Sequence, residues 1–95
     1  MVLVHRNNDL RGCGATTTVA GQDFVFVDGE LWAVDGDPNT DGGGGLIPGG
    51  IAAIYINGKR VIGKDDSADP DSLCPIDPTH CNPYASSGDA NVTAS

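Results

Sequence analysis

Two tight turns recur in register along this chain, and they constrain its fold more than any other feature. Asp28-Gly29 and Asn57-Gly58 each divide a β-rich run, and both dipeptides accept the positive φ angles of a type I′ turn. A glycine stands eight residues before each turn glycine, and an aspartate stands eight residues after it; the four are Gly21, Gly50, Asp37 and Asp66. The register predicts two β-hairpins, over residues 24–34 and 53–62.

The same spacing finds a third copy divided between the two ends of the chain. Counting forward from Gly88 puts Ser95 at the first turn position, and counting back from Asp9 puts Met1 at the turn glycine. We therefore expect residues 2–6 to pair with residues 91–94 and the termini to be neighbours. A two-stranded hairpin is marginal alone, so three hairpins should share one core along a pseudo-threefold axis. The predicted fold is a single all-β domain over residues 1–95.

Composition indicates that this core is small and that partners are not polyanions. Aromatic residues make up 5% of the 95 residues and glycine accounts for 14 of them, so a metal, a disulfide or a bound partner should add stability. The net charge of −8 repels phosphate backbones and anionic membrane surfaces, which argues against nucleic acid. The short apolar run before His5 is not a secretory signal, and no stretch reaches membrane-span length, so we expect synthesis in the cytoplasm without stable membrane insertion.

Soft metal ligands gather in two of the three connecting segments. These segments are the first loop (residues 9–21), the second loop (37–50) and the third loop (66–88). The first loop carries Cys13, the third carries Cys74, His80 and Cys81, and the second has neither Cys nor His. Because a pseudo-threefold fold brings the loops together, we predict that Cys13, Cys74, His80 and Cys81 bind one structural metal ion, with Zn²⁺ favoured and Fe the alternative.

Other pairings of these groups stay open. In a reducing compartment closely spaced cysteines bind metal more often than they pair, but a Cys74–Cys81 disulfide is the alternative if the protein leaves the cell. Cys81 is the weakest of the four ligand candidates. It directly follows His80, and adjacent residues on extended backbone point to opposite sides. His5 is the alternative fourth ligand, although it aligns with strand positions Ala33 and Ile62 and is better explained as a packed or exposed strand residue.

The remaining polar motifs have structural explanations. Asp9, Asp37 and Asp66 are predicted to close turns by side-chain to backbone hydrogen bonds rather than to perform acid–base chemistry. The glycines at 42–45 lack the Lys-Ser/Thr of a phosphate-binding loop, so they are predicted to let two backbones approach closely. No catalytic pair is implied, and we do not expect an enzyme.

The repeat frame resembles that of PAAR-repeat proteins over nearly the whole chain. The matching residues are "RNND" at 6–9, "GELWAVDGD" at 29–37, and the Gly50-x6-Asn57-Gly58-Lys59 pattern. Family members commonly bind their metal with three His and one Cys, whereas this chain has Cys13 where the first loop's His is expected.

The resemblance implies a small pointed cone or prism with long apical loops and a metal near the apex. Such proteins cap the trimeric β-helical spike of contractile injection machines, so the implied protein is monomeric by itself and binds one copy per trimer. The expected location is a phage tail spike or baseplate. A type VI secretion spike tip or effector adaptor is the alternative, and a small zinc hydrolase is a weaker one.

Overall fold

Short paired strands and long loops make up the computed structural model, which describes residues 1–94. The strands are β1 (Val2–Leu3), β2 (Phe26–Val27), β3 (Glu30–Leu31), β4 (Tyr55–Ile56), β5 (Lys59–Arg60) and β6 (Thr93–Ala94). They form three separate two-stranded antiparallel sheets, β1–β6, β2–β3 and β4–β5. A single turn of 3₁₀ helix, Pro78–Cys81, is the only helical segment within this described part. The expected all-β class is confirmed.

The two predicted turns join β2 to β3 and β4 to β5. Both residues of each turn have positive φ: 52° and 89° at Asp28 and Gly29, and 56° and 78° at Asn57 and Gly58. These angles match the type I′ geometry that fits the right-handed twist of paired strands. Strand alternation then turns one side chain outward and the next inward, so Phe26 and Tyr55 are exposed while their neighbours Val27 and Ile56 are buried.

The two ends of the chain form the third sheet, as the divided repeat predicts. Val2 pairs with Ala94 and Leu3 with Thr93. The Val4 amide then donates to the Val92 carbonyl over 3.1 Å and extends the pairing by one residue. Ser95, which the repeat aligns with the first turn position, lies outside the described residues.

A closed ring of backbone hydrogen bonds links the three sheets. Ala33 donates to His5 over 3.0 Å, Ile62 donates to Ala33 over 3.0 Å, and His5 donates to Ile62 over 3.2 Å. These are the three positions that the repeat aligns. Isolated bridges continue the contact between neighbouring sheets, at Val4–Gly63, Arg6–Trp32 and Val34–Val61. Hydrogen bonds and single bridges beyond the strand ends therefore connect each sheet to the other two.

Aspartates close the turn that follows each returning strand, as expected. The carboxylates of Asp9, Asp37 and Asp66 each accept from the amide three residues earlier, over 2.8, 2.8 and 2.9 Å. Asp37 and Asp66 also accept from the glycines that begin their own repeats, Gly21 and Gly50, over 2.8 Å in both cases. Each of these two carboxylates thus ties the end of a repeat back to its start.

The apolar core is divided into two small clusters. One lies among the strands and contains Val34, Ile51, Ile56 and Val61. The other contains Ala33, Leu46, Ile62, Ala68 and Ala85, which come partly from the second and third loops. The molecule measures 34 × 22 × 22 Å along its principal axes. Among residues 1–94 no helix is long and apolar enough to cross a bilayer.

Candidate metal centre

Four side chains from the three loops converge at one place. One potential ligand atom from each of Cys13, Asp41, Asp71 and His80 lies within 4.8 Å of the others. Cys13 comes from the first loop, Asp41 from the second, and Asp71 and His80 from the third. We call this set the four-residue cluster. One sulfur, one imidazole nitrogen and two carboxylate oxygens are ligands that Zn²⁺ and Fe²⁺ accept.

A short hydrogen bond between His80 and Asp71 is at the centre of the cluster. His80 Nδ1 lies 2.7 Å from Asp71 Oδ2, and both side chains are buried. The same oxygen accepts from Asn39 Nδ2 over 2.8 Å and faces the Cys13 sulfur at 3.9 Å. Asp41 Oδ2 lies 3.5 Å from His80 Nδ1. The imidazole therefore faces two carboxylates at once.

These contacts shift the pKa values of both partners. The hydrogen bond to Asp71 raises the pKa of His80 above its ordinary value, against the opposing effect of desolvation. Burial opposes ionisation of Asp71, but hydrogen bonds from His80 and Asn39 outweigh it and lower the pKa of that carboxyl. Without a metal, the contact therefore makes the imidazole easier to protonate and the carboxyl easier to ionise. A metal ion competes with a proton for the imidazole, because only a neutral imidazole coordinates.

Local backbone structure brings the third loop's two ligands together. The Asp77 carboxylate caps the 3₁₀ helix by accepting from the Thr79 amide over 3.0 Å, and Pro78 occupies its first turn. The His80 amide donates to the Asp77 carbonyl over 3.0 Å, and the Asp71 amide donates to the His80 carbonyl over 2.9 Å. Asp71 and His80 are thus linked through their main chains as well as their side chains.

Glycines position Asp41 on the second loop. Gly42, Gly43 and Gly44 all have positive φ, which residues with a Cβ rarely adopt. This path lets the Gly42 carbonyl accept from the Ser72 amide over 2.9 Å, so the second loop lies directly against the third. The predicted close approach of two backbones at residues 42–45 is confirmed, and it places Asp41 beside His80.

A buried arginine, whose guanidinium pairs with no carboxylate among residues 1–94, lies within electrostatic range of Cys13 and Asp71. Arg11 donates to the carbonyls of Gly44 and Pro83 over 2.8 Å and to that of Asp37 over 3.0 Å. Burial lowers its pKa to about 10. Two carboxylates and a Cys13 thiolate carry one negative charge each, so Arg11 and a divalent cation together would cancel them. The charges therefore suit a divalent ion.

Two of the four predicted ligands lie elsewhere, joined to each other. Cys74 and Cys81 form a disulfide with their Cα atoms 4.9 Å apart, so neither sulfur is a thiolate able to bind metal in this state. Cys13 and His80 do lie in the cluster. The structure thus differs from the predicted ligand set, because Cys74 and Cys81 are not in the cluster. They form the disulfide that the sequence analysis kept as the alternative.

His5 lies outside the cluster and both of its ring nitrogens have partners. Nδ1 is 2.7 Å from the Ser87 carbonyl, which can only accept, and Nε2 is 2.6 Å from the Thr17 hydroxyl. Desolvation lowers the pKa of His5, although the bond to Ser87 opposes that shift. His5 is fully buried with both ring nitrogens paired, so the packed one of the two positions that the sequence left open is observed, two residues beyond the end of β1.

The sequence reasoning missed Asp41 and Asp71. It considered only Cys and His as ligands and found none in the second loop. Acidic residues number 13, so no single aspartate is distinctive in the sequence. The available signal was position: Asp41 directly precedes the run of glycines, where a close approach of two backbones was already predicted.

The geometry fits a metal after a small contraction of the cluster. Metal–ligand bonds of about 2.0–2.3 Å in a tetrahedron require ligand atoms roughly 3.3–3.8 Å apart. The spread of up to 4.8 Å and the 2.7 Å contact between His80 and Asp71 lie on either side of that range. A metal would replace the hydrogen bond and draw the more distant ligand atoms inward, so these residues could hold one ion.

Comparisons with known proteins add no assignment. No protein-family model matches the chain, and no curated protein matches it at a significant level. The candidate metal centre therefore depends on the geometry described above.

Proposed function

We propose that this protein is a PAAR-like tip that caps the trimeric central spike of a contractile injection machine. The observation that carries the proposal is the closed ring of hydrogen bonds through His5, Ala33 and Ile62. It joins three sheets of one chain at equivalent positions, so the chain repeats its contacts three times around a centre. A trimer with a threefold axis presents three equivalent contacts to such a monomer.

The proposed shape is a cone or prism with the sheet turns at its base and the loops at its apex. The principal extents of 34 × 22 × 22 Å support it, since two equal short axes are what an object with approximate threefold symmetry has. The turns lie at one end of the strands, and the three loops leave from the other. The four-residue cluster would then lie at or near the apex.

The proposed docking surface is apolar and lies on the sheets. Phe26 and Tyr55 occupy equivalent positions three residues before their turn glycines, and each is 61% exposed. Phe24, two residues before Phe26, and Met1, which the repeat aligns with the turn glycines, are also exposed. We call these four residues the basal apolar surface. Exposed aromatic side chains of this kind are enriched where proteins bind one another.

In this proposal the metal stiffens the end of the molecule opposite the spike. The four-residue cluster draws ligands from all three loops, and the third loop has little apolar surface to bury. One ion would therefore crosslink segments whose ordering the small core does not otherwise support. We propose Zn²⁺, with Fe as the alternative.

A structural role suits the cluster better than a catalytic one. In a Cys–His–Asp relay the imidazole lies between the other two groups, with one nitrogen facing each. Here His80 Nδ1 faces Asp71, while Nε2 lies 3.8 Å from Asp77, so its second nitrogen faces another carboxylate. Cys13 contacts Asp71 rather than the imidazole.

We propose a phage tail baseplate as the setting, with a type VI secretion tip or effector adaptor as the alternative. The test is to raise an antibody to the purified protein and label intact contractile particles from the source organism for electron microscopy. Label at the distal end of the central spike is the expected result. Label on the sheath, on the head or on no particle would contradict the proposal.

A further inference from the structure

The Cys74–Cys81 disulfide closes the segment that carries half of the four-residue cluster. Asp71 lies three residues before Cys74, and His80 directly precedes Cys81. Main-chain hydrogen bonds connect the disulfide to the two ligands. The Cys74 amide donates to the Asp71 carbonyl over 3.1 Å, and the Asp71 amide donates to the His80 carbonyl over 2.9 Å. The disulfide therefore holds the two ligands of the third loop in position.

The disulfide is also accessible from solvent. Residues 75–79 between the two cysteines are all exposed, and Ile76 is 85% exposed. Both cysteines are half-buried rather than enclosed in the core. A dithiol could therefore approach the sulfurs without unfolding the sheets.

We propose that this disulfide is a redox switch that changes the ligand set of the metal centre, an inference that rests on the metal site of the proposed function. In the oxidised form the ion is held by Cys13, Asp41, Asp71 and His80. In the reduced form Cys74 and Cys81 replace the two aspartates, and the ion is held by three thiolates and His80.

The redox step is an ordinary thiol–disulfide exchange. A dithiol reductant attacks one sulfur, the Cys74–Cys81 bond breaks, and the reductant leaves as its own disulfide after supplying two electrons and two protons. Metal coordination then releases the protons from the new thiols. The reduced set is softer, so it favours Zn²⁺ over harder ions more strongly than the oxidised set does.

The position of Cys81 makes the exchange geometrically reasonable. On extended backbone Cys81 and His80 would point to opposite sides, but both lie on the 3₁₀ helix Pro78–Cys81. Successive residues on such a helix are separated by about 120°, so the Cys81 side chain must turn toward the site once its bond to Cys74 is broken. The segment 75–79 that joins the two cysteines is exposed throughout, so it can rearrange without disturbing the core.

The test uses Co²⁺ alone as a spectroscopic probe on the full chain. Its near-ultraviolet charge-transfer band grows with the number of bound thiolates, and a phosphine reductant opens the disulfide without supplying sulfur ligands. Going from one thiolate to three should raise the molar intensity of this band about threefold on reduction. A direct count of free thiols before and after reduction verifies the state of the disulfide.

The matched control is the double variant Cys74→Ser/Cys81→Ser. It lacks both the crosslink and the additional thiols, so its spectrum should show one thiolate and should not respond to the reductant. Its affinity for Co²⁺ should fall about 10- to 100-fold below that of the oxidised protein, as when a supporting outer contact is removed.

Each outcome has a defined meaning. A spectrum that is the same before and after reduction overturns the ligand exchange but leaves the metal site and the spike-tip proposal standing. Loss of Co²⁺ on reduction also overturns the exchange. If neither form binds Co²⁺, the metal part of the proposed function fails as well, while docking to a spike is unaffected.

Discussion

Arg11 is the largest fully buried side chain among the described residues, with 2% of its surface exposed. Its guanidinium connects carbonyls from the second and third loops, and its Nε donates to the Thr17 hydroxyl over 2.6 Å. The sequence contained no sign of this role, because a lone arginine after a turn is usually a surface residue. Its burial becomes understandable only once the second and third loops supply carbonyls, and the first loop a hydroxyl, around one point.

Replacing Arg11 tests how far this residue holds the loops together. Arg11→Lys keeps the charge but cannot reach three carbonyls in a plane, so buried acceptors lose their donors and unfolding free energy should fall by about 2–4 kcal/mol. Urea denaturation measures the change. The matched control is Arg60→Lys, since within the described part of the chain Arg60 donates only to the Ile51 carbonyl and should matter less. Equal losses in the two variants would contradict the special role of Arg11.

The two histidines should make stability depend on pH in opposite directions when metal is removed. The pKa of His5 is lowered in the folded state. Its contribution to the unfolding free energy is therefore fully present above the ordinary pKa of 6.5 and is lost as pH falls through the folded-state pKa. The pKa of His80 is raised by Asp71. Its contribution to the unfolding free energy is therefore fully present below pH 6.5 and is lost as pH rises through the folded-state pKa. Stability should therefore be greatest near pH 6.5.

Thermal unfolding in chelator between about pH 5 and pH 8.5 measures both effects. His5 is faced by charges at Asp9, Arg11 and Asp66, and His80 by those at Asp41, Asp71 and Asp77. In a plot of Tm against pH, His5→Gln should reduce the fall in Tm on the acidic side. His80→Gln should reduce the fall in Tm on the alkaline side. A curve that rises steadily across the range in the native protein would show that these assignments are wrong.

At the scale of the elements, the turns were predictable and the loops were not. Asp28-Gly29 and Asn57-Gly58 have local chemistry that requires one turn type, so register and pairing follow from counting residues. The loops depend on contacts between distant segments, such as Ser72 with Gly42, which no local pattern specifies. Cys13 and His80 were predicted in the site because their side chains are distinctive metal ligands, whereas Asp41 and Asp71 are two of 13 acidic residues and only the loop contacts single them out.

Glycine substitutions separate backbone strain from crowding. Gly29 has φ 89°, and a Cβ added there would meet nothing within 4 Å, so Gly29→Ala tests the positive φ alone. It should lower unfolding free energy by about 1–2 kcal/mol. Gly49→Ala is the control, because that residue does not have a positive φ and its Cβ would make only an ordinary contact, 3.7 Å from Asp66. It should be neutral or slightly stabilising, and if both variants behave alike in urea denaturation, the turn assignment fails.

At the scale of the whole molecule, the divided repeat predicted the pairing of the two ends. Val2 pairs with Ala94 although they are far apart in sequence, and the repeat frame is the only feature that foretold it. The redox state of the cysteines could not be predicted in this way, since the sequence allowed both a metal site and a disulfide.

The central claim is that one chain matches one trimer through its basal apolar surface. Phe26→Asp/Tyr55→Asp should abolish binding to the spike because each change places a charge in an apolar contact, whereas Ile76→Asp, at the exposed third loop, should leave binding intact. Both variants should keep the fold, since all three side chains are exposed.

The most direct measurement is native mass spectrometry of the protein mixed with the purified trimeric spike protein from the same particle. The account predicts a complex of one tip with three spike chains, lost in Phe26→Asp/Tyr55→Asp and retained in Ile76→Asp. Three tips per trimer, no complex, or loss of binding only in Ile76→Asp would contradict it.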